Sequence, residues 1–166
     1  MLLRLSKITL VGASAFFLLL VVFNNLTDYG SNFEFVKHVL SMDTTFPGNA
    51  GMWRALTSPV LHHAFYAAII LWEAATGALI GAGSWRLWQA RTASVAAWHS
   101  AKSLATLGLT LSLLQWYVAF ITVGGEWFLM WQSKIWNGQE AAFRMFAIMG
   151  LSLIFLNLRD DEPSPS

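Results

Sequence analysis

Cysteine is absent from the 166-residue sequence, which excludes disulfides, thiolate nucleophiles and Cys-ligated metal clusters. Charge is scarce: Asp, Glu, Lys and Arg together make up 11% of the chain, and the formal net charge is +1. A soluble domain carries about 25% charged residues. A nucleic-acid-binding surface needs a concentrated basic face, which so few cations do not supply. Proline occurs four times, in the loop "TTFPGNAG", at Pro59 and twice in the tail "RDDEPSPS". Regular alternation of apolar and polar residues is missing, which argues against strands. A Gly-rich phosphate loop, a nucleophile elbow and an H-E-x-x-H pair are missing too, so neither enzymatic activity nor a cofactor is expected.

What the sequence has in quantity is hydrocarbon. Hydrophobic residues make up 56% of it, nine residues are Trp, and the mean hydropathy is +0.53. Four segments are long and apolar enough to cross a bilayer core, which takes about 20 helical residues. They run over residues 5–26, 62–83, 101–123 and 140–158, the third with room to continue through "GGEWFLMWQ". With no strand pattern, the economical reading is an all-α integral membrane four-helix bundle. The first segment follows Arg4 and Lys7 as a signal peptide would, but "NNLTDYG" behind it lacks a small-x-small cleavage site. It reads as a retained anchor.

Arg4, Lys7, Arg86, Arg91, Lys102 and Arg159 gather at one end of the predicted bundle. At the other end, Lys37, Arg54 and Lys134 are interspersed with acids. The positive-inside rule then places both termini in the cytoplasm. Trp53, Trp85, Trp88, Trp98, Trp127, Trp131 and Trp136 fall at or just beyond span ends, where amphipathic rings prefer to sit. Between spans one and two, "NFEFVKHVLSM" puts Glu34, Lys37, His38 and Ser41 on one helical face, predicting an amphipathic helix at the interface. Asp28, Tyr29, His38, Asp43 and Arg54 in this long loop are candidates for outer-face interactions. Residues 159–166 read as a disordered cytoplasmic tail.

The stretches "NNLTDYGSNFEFVKHVLSMDTTFPGN", "WRAL", "WEAATGALIGAGSWRLW" and "GQEAAFRMF" resemble a bacterial family of predicted small integral membrane proteins of unknown function. The likeness covers nearly the whole chain, most specifically from Asn24 to Pro47. It implies a four-span inner-membrane protein and brings no activity, cofactor or catalytic residue with it.

Function must therefore be sought in the polar residues of the spans. Glu73 sits near the centre of span two in "AIILWEAATGALIG", roughly 15 Å from either interface. An ionisable group at that depth faces protein or a water-filled cavity. Gly77 and Gly81 share its face at i+4 and i+8, the spacing of a close helix contact. On span three, Gly108, Ser112 and Gln115 form a matching face at similar depth. The expectation is that these two faces pack together, with Glu73 protonated and bonded to Gln115 or Ser112. Arg144, one turn into span four, is expected near the outer surface beside Glu140, Glu126 or Asp28.

A haem site needs two His at similar depth on facing elements. His99 belongs to one end, while His62 and His63 belong to the other and point about 100° apart. Only His38 could join one of them, so no metal or haem site is expected. The resulting picture is a non-enzymatic accessory or assembly protein, with the bilayer and a membrane protein or second copy as partners. The alternative is a small proton-coupled transporter or channel using Glu73. A b-type cytochrome subunit is the third reading.

Overall fold

The computed structural model describes residues 1–160, which form helices and turns without a strand among them. Helix α1 spans Leu2–Thr27, α2 Tyr29–Ser41, α3 Pro59–Gln89, α4 Val95–Ala101, α5 Ser103–Leu114 and α6 Gln139–Asn157. Helix α5 continues without a break into a π-helical segment, Gln115–Trp127. Short 3-10 turns lie at Ala50–Arg54 and Met130–Gln132.

Four stretches are long and apolar enough to cross a membrane: Leu2–Thr27, Pro59–Gln89, Val95–Trp127 and Gln139–Asn157. In each, a third or less of the most apolar window is buried by protein. The rest of that hydrocarbon, including Phe16, Phe23, Leu71, Leu151 and Ile154, faces outward. Helices that are apolar all round with so little protein cover need lipid as solvent. Helix α3, with 31 residues, is about 46 Å long and overshoots a hydrocarbon core of about 30 Å. It begins at Pro59, whose missing N–H costs nothing in the first turn.

Packing runs α1 to α3 to α5 to α6 and back to α1, a closed ring of antiparallel neighbours. Each helix turns one stripe inward. On α1 the stripe is Lys7, Val11, Ser14, Leu18 and Asn25; on α3 it is Tyr66, Ile70, Glu73, Ile80 and Leu87. Spacings of three, four and seven keep such residues on one face. One apolar core, including Leu18, Ile80, Leu87, Leu109 and Met149, fills the half of the bundle that carries the chain termini. A second core, built from Val36, Leu40, Met42, Tyr66, Ile70 and Phe128, closes the half that carries the long loop.

Helix α2 forms where the loop pattern predicts a helix and folds onto α3, burying Val36 and Leu40. It ends at Met42 in the left-handed conformation, with φ 53°. The loop beyond is stitched to the connection between spans three and four. Thr44 Oγ1 donates to Ser133 Oγ at 2.8 Å, the Phe46 amide donates to Gln132 Oε1 at 3.1 Å, and His38 stacks on Trp136.

The end of the chain departs from expectation. Residues 159 and 160 were expected to open a disordered tail, yet Asp160 is buried at the terminal end of the bundle. It accepts from Lys102 Nζ at 2.6 Å, Trp98 Nε1 at 2.9 Å and Lys7 Nζ at 3.0 Å. Trp98, expected in an interfacial belt, is instead fully buried in this clasp. Burial alone would push the Asp160 carboxyl up. The hydrogen bonds from Lys102, Lys7 and Trp98 outweigh it and hold the carboxyl down at about 2. The remaining tail, residues 161–166, lies outside the described residues.

Candidate functional site: a polar layer at Glu73

Between the two apolar cores lies a layer of hydrogen-bonded side chains drawn from three spans. Glu73, near the midpoint of α3, is 1% exposed. One of its carboxylate oxygens accepts from Asn25 Nδ2 of α1 at 2.8 Å, and the other accepts from Gln115 Nε2 at 3.1 Å. The chain continues toward the loop end, where Asn32 Nδ2 of α2 donates to Asn25 Oδ1 at 2.6 Å. Tyr66 Oη, one helical repeat from Glu73, donates to the Asn25 carbonyl at 3.4 Å. A glutamate, three amides and a phenol thus cross-link α1, α2, α3 and the π-helical segment.

A cavity of about 230 Å³ opens beside this layer, with Glu73, Asn25, Tyr66, Trp116 and Phe120 among its walls. Asn32, Gly138 and Ala141, from the loop-end half of the bundle, line it as well. A second cavity of about 300 Å³ lies under α2, and Phe35, Val36, Ile69 and Phe120 border both. The π-helical segment supplies Trp116 and Phe120 to the first cavity and Phe120, Val123 and Gly124 to the second. A π-helix is wider than an α-helix and recurs at functional sites. Here the widening falls at the level of the polar layer.

Gly77, Gly81 and Ser112 differ from the pairing expected of them. Gly77 and Gly81 do not face span three; a Cβ at Gly77 would meet Leu18 and one at Gly81 would meet Ala15, both on α1. The close contact with span three belongs to Gly83, where a Cβ would stand 2.5 Å from the Ala105 amide nitrogen. Gly108 lies against Ile80, with its own Cβ position 2.7 Å from Ile80 Cγ1. Ser112 is fully buried and its hydroxyl has no hydrogen-bond partner, so it does not bond Glu73. Gln115 Oε1 and Trp116 Nε1 are likewise buried without a partner. Arg144 is exposed and, among the described residues, forms no ion pair, with Glu140, Glu126 and Asp28 included.

The loop residues occupy separate places around the loop end. Tyr29 Oη meets His63 Nδ1 at 2.8 Å, and Phe33 stacks on the His63 ring. Asp28 accepts from Ser31 Oγ at 2.7 Å. His38 pairs with Asp43 at 2.7 Å, and His62 Nε2 meets the Leu56 carbonyl at 2.7 Å. Arg54 lies over the Trp53 and Trp127 rings and donates to the Gly51 carbonyl. His38, His62 and His63 are thus engaged at separate places, and no group of three His, Asp or Glu residues among the described residues has the arrangement to hold a metal ion.

Helical spacing on spans two and three does not single out Asn25 as a partner of Glu73. Its signal was present in the inward stripe of α1, where it stands seven residues after Leu18. A model of the family described as predicted small integral membrane protein (DUF2165) matches residues 3–159. The chain belongs to this family. No curated protein and no solved structure matches the chain. Membership establishes a small integral membrane protein whose role is unknown, so any function has to come from the polar layer itself.

Proposed function

We propose that the protein is a non-enzymatic accessory protein of the bacterial inner membrane that holds a small molecule in the loop-end half of its bundle. The observation that carries this reading is the cavity of about 230 Å³ placed against Glu73, the only carboxylate among the described residues that line it. A pocket with apolar walls and a few convergent polar groups is the usual form of a small-molecule site. Both hydrogen-bond partners of Glu73 are neutral amides, so no acid or base is bonded to it.

The same geometry favours holding over conduction. The polar chain leads from Glu73 through Asn25 to Asn32, toward the loop end. In the other direction stand Leu18, Ile80, Leu109 and Met149, each with no exposed surface. A proton relay needs successive protonatable groups across the bundle, and this dry layer interrupts them. The basic residues at the terminal end support a cytoplasmic location for both termini. A membrane protein or a second copy of the chain would meet the lipid-facing surface.

Native mass spectrometry of the protein gently extracted from its own membranes tests both halves of the reading. The expected spectrum carries a small-molecule mass on the wild-type chain, lost in Ala142→Leu, which fills the cavity, together with a protein partner or second copy. A bare, solitary wild-type chain would overturn it.

A further inference from the structure

Among the described residues Glu73 is the one carboxylate of the polar layer, and no Lys, Arg or His side chain lies within ion-pairing distance of it. Two amide dipoles solvate its oxygens but bring no opposite charge. A carboxylate in an apolar surround is therefore matched only when a proton or a cation joins it. The cavity beside it is walled by Phe35, Tyr66, Trp116 and Phe120. Aromatic faces attract cations, and they do so best where water is excluded.

Three kinds of ligand can be compared on this chemistry. A hard metal ion needs six or more oxygen ligands in a fixed shell. Here Asn25 Oδ1 is already bonded to Asn32, and Gln115 is not among the residues that line the cavity. A phospholipid headgroup brings a phosphate, and no basic side chain lines either cavity to receive it. A soft organic cation needs one carboxylate, aromatic walls and an apolar place for its substituents. The neighbouring cavity of about 300 Å³, lined by Val36, Val39, Leu40, Phe65 and Ile69 among others, supplies that place.

We propose that the site takes a lipophilic monocation, with its ammonium head against Glu73 and its hydrocarbon in the adjoining cavity beneath α2. The proposal rests on the reading that this cavity holds a small molecule, and it adds the charge and shape of that molecule. Phe35 and Phe120 border both cavities, so head and tail lie on either side of their rings.

The test uses the full chain in phosphatidylcholine nanodiscs, with empty nanodiscs as the partition background. Equilibrium dialysis measures two probes, octyltrimethylammonium and the neutral amphiphile decanol. Wild-type protein is expected to bind the cation saturably, and Glu73→Gln to weaken it by roughly tenfold or more while leaving decanol unchanged. Phe35→Leu keeps the wall apolar but removes its π face, and is expected to weaken the cation alone by roughly two- to fivefold. This second variant decides the matter if the first does not fold. Saturable binding of both probes that neither variant changes would overturn the cation and leave the small-molecule site standing. Absence of saturable binding by either probe would overturn both.

Discussion

At the scale of single residues, Glu73 and Asp160 show how the same side-chain chemistry is stabilised in two different ways. Glu73 is held by amides alone, so its replacement depends on whether those amides keep a partner. Glu73→Gln preserves the shape and one acceptor, and Gln115, whose Oε1 is unpaired, can turn its amide to accept from the new NH₂. The expected loss is below about 1 kcal/mol. Glu73→Ala strands both amides and should cost about 1–3 kcal/mol, given the usual worth of interhelical hydrogen bonds in membranes. Reversible unfolding in mixed micelles measures both. Asp160 is held by two ammonium groups, and its carboxyl lies at about 2 rather than the ordinary 3.8. A carboxyl lowered on folding contributes stability above its unfolded value and loses it as pH falls toward the folded one. The stability gap between wild type and Asp160→Asn should therefore be full above pH 4 and shrink by roughly 2 kcal/mol as the pH approaches 2. A gap that does not change over that range would show that the carboxylate is not what holds the clasp.

At the scale of elements, the helix contacts turn on which small residue meets which neighbour. Gly83 touches the backbone of α5, so Gly83→Ala must push two helices apart and should cost about 1–3 kcal/mol. Gly30 on α2 has open space where its Cβ would be, so Gly30→Ala should be neutral or stabilising by up to about 1 kcal/mol. Thermal denaturation of the pair in one detergent checks the contrast. The four spans and α2 were legible in the sequence because length, hydropathy and helical period are local properties. The bond from Glu73 to Gln115 was anticipated as one of two choices, since counting residues along antiparallel helices sets depth. The partner of the Gly77 and Gly81 face was not legible. Span two carries small residues on two faces, and which one meets span one depends on tertiary packing. Ser112 shares the stripe of Gln115, yet its buried hydroxyl has no hydrogen-bond partner. The π-helical segment left no sign in the hydropathy pattern.

For the molecule as a whole, two apolar cores enclose a polar layer that is tied to the loop end and sealed from the end carrying the termini. The clasp there joins Lys7 to Asp160, 153 residues apart. Composition hid it, because Asp160 opens an acidic, proline-containing tail and Trp98 stands where interfacial tryptophans are common. Lys7 did carry a signal, since it falls on the inward stripe with Val11 and Leu18. On this arrangement the Glu73 cavity is reached from the loop end and closed below by Leu18, Ile80, Leu109 and Met149. A chain without cysteine allows this to be tested with single thiols. Ala142 lines the cavity, and Met149, two turns along the same face of α6, is fully buried in the seal. In oriented vesicles, a membrane-impermeant methanethiosulfonate applied from the loop side should modify Ala142→Cys and leave Met149→Cys untouched from either side. Modification of Met149→Cys, or failure to modify Ala142→Cys, would contradict the account.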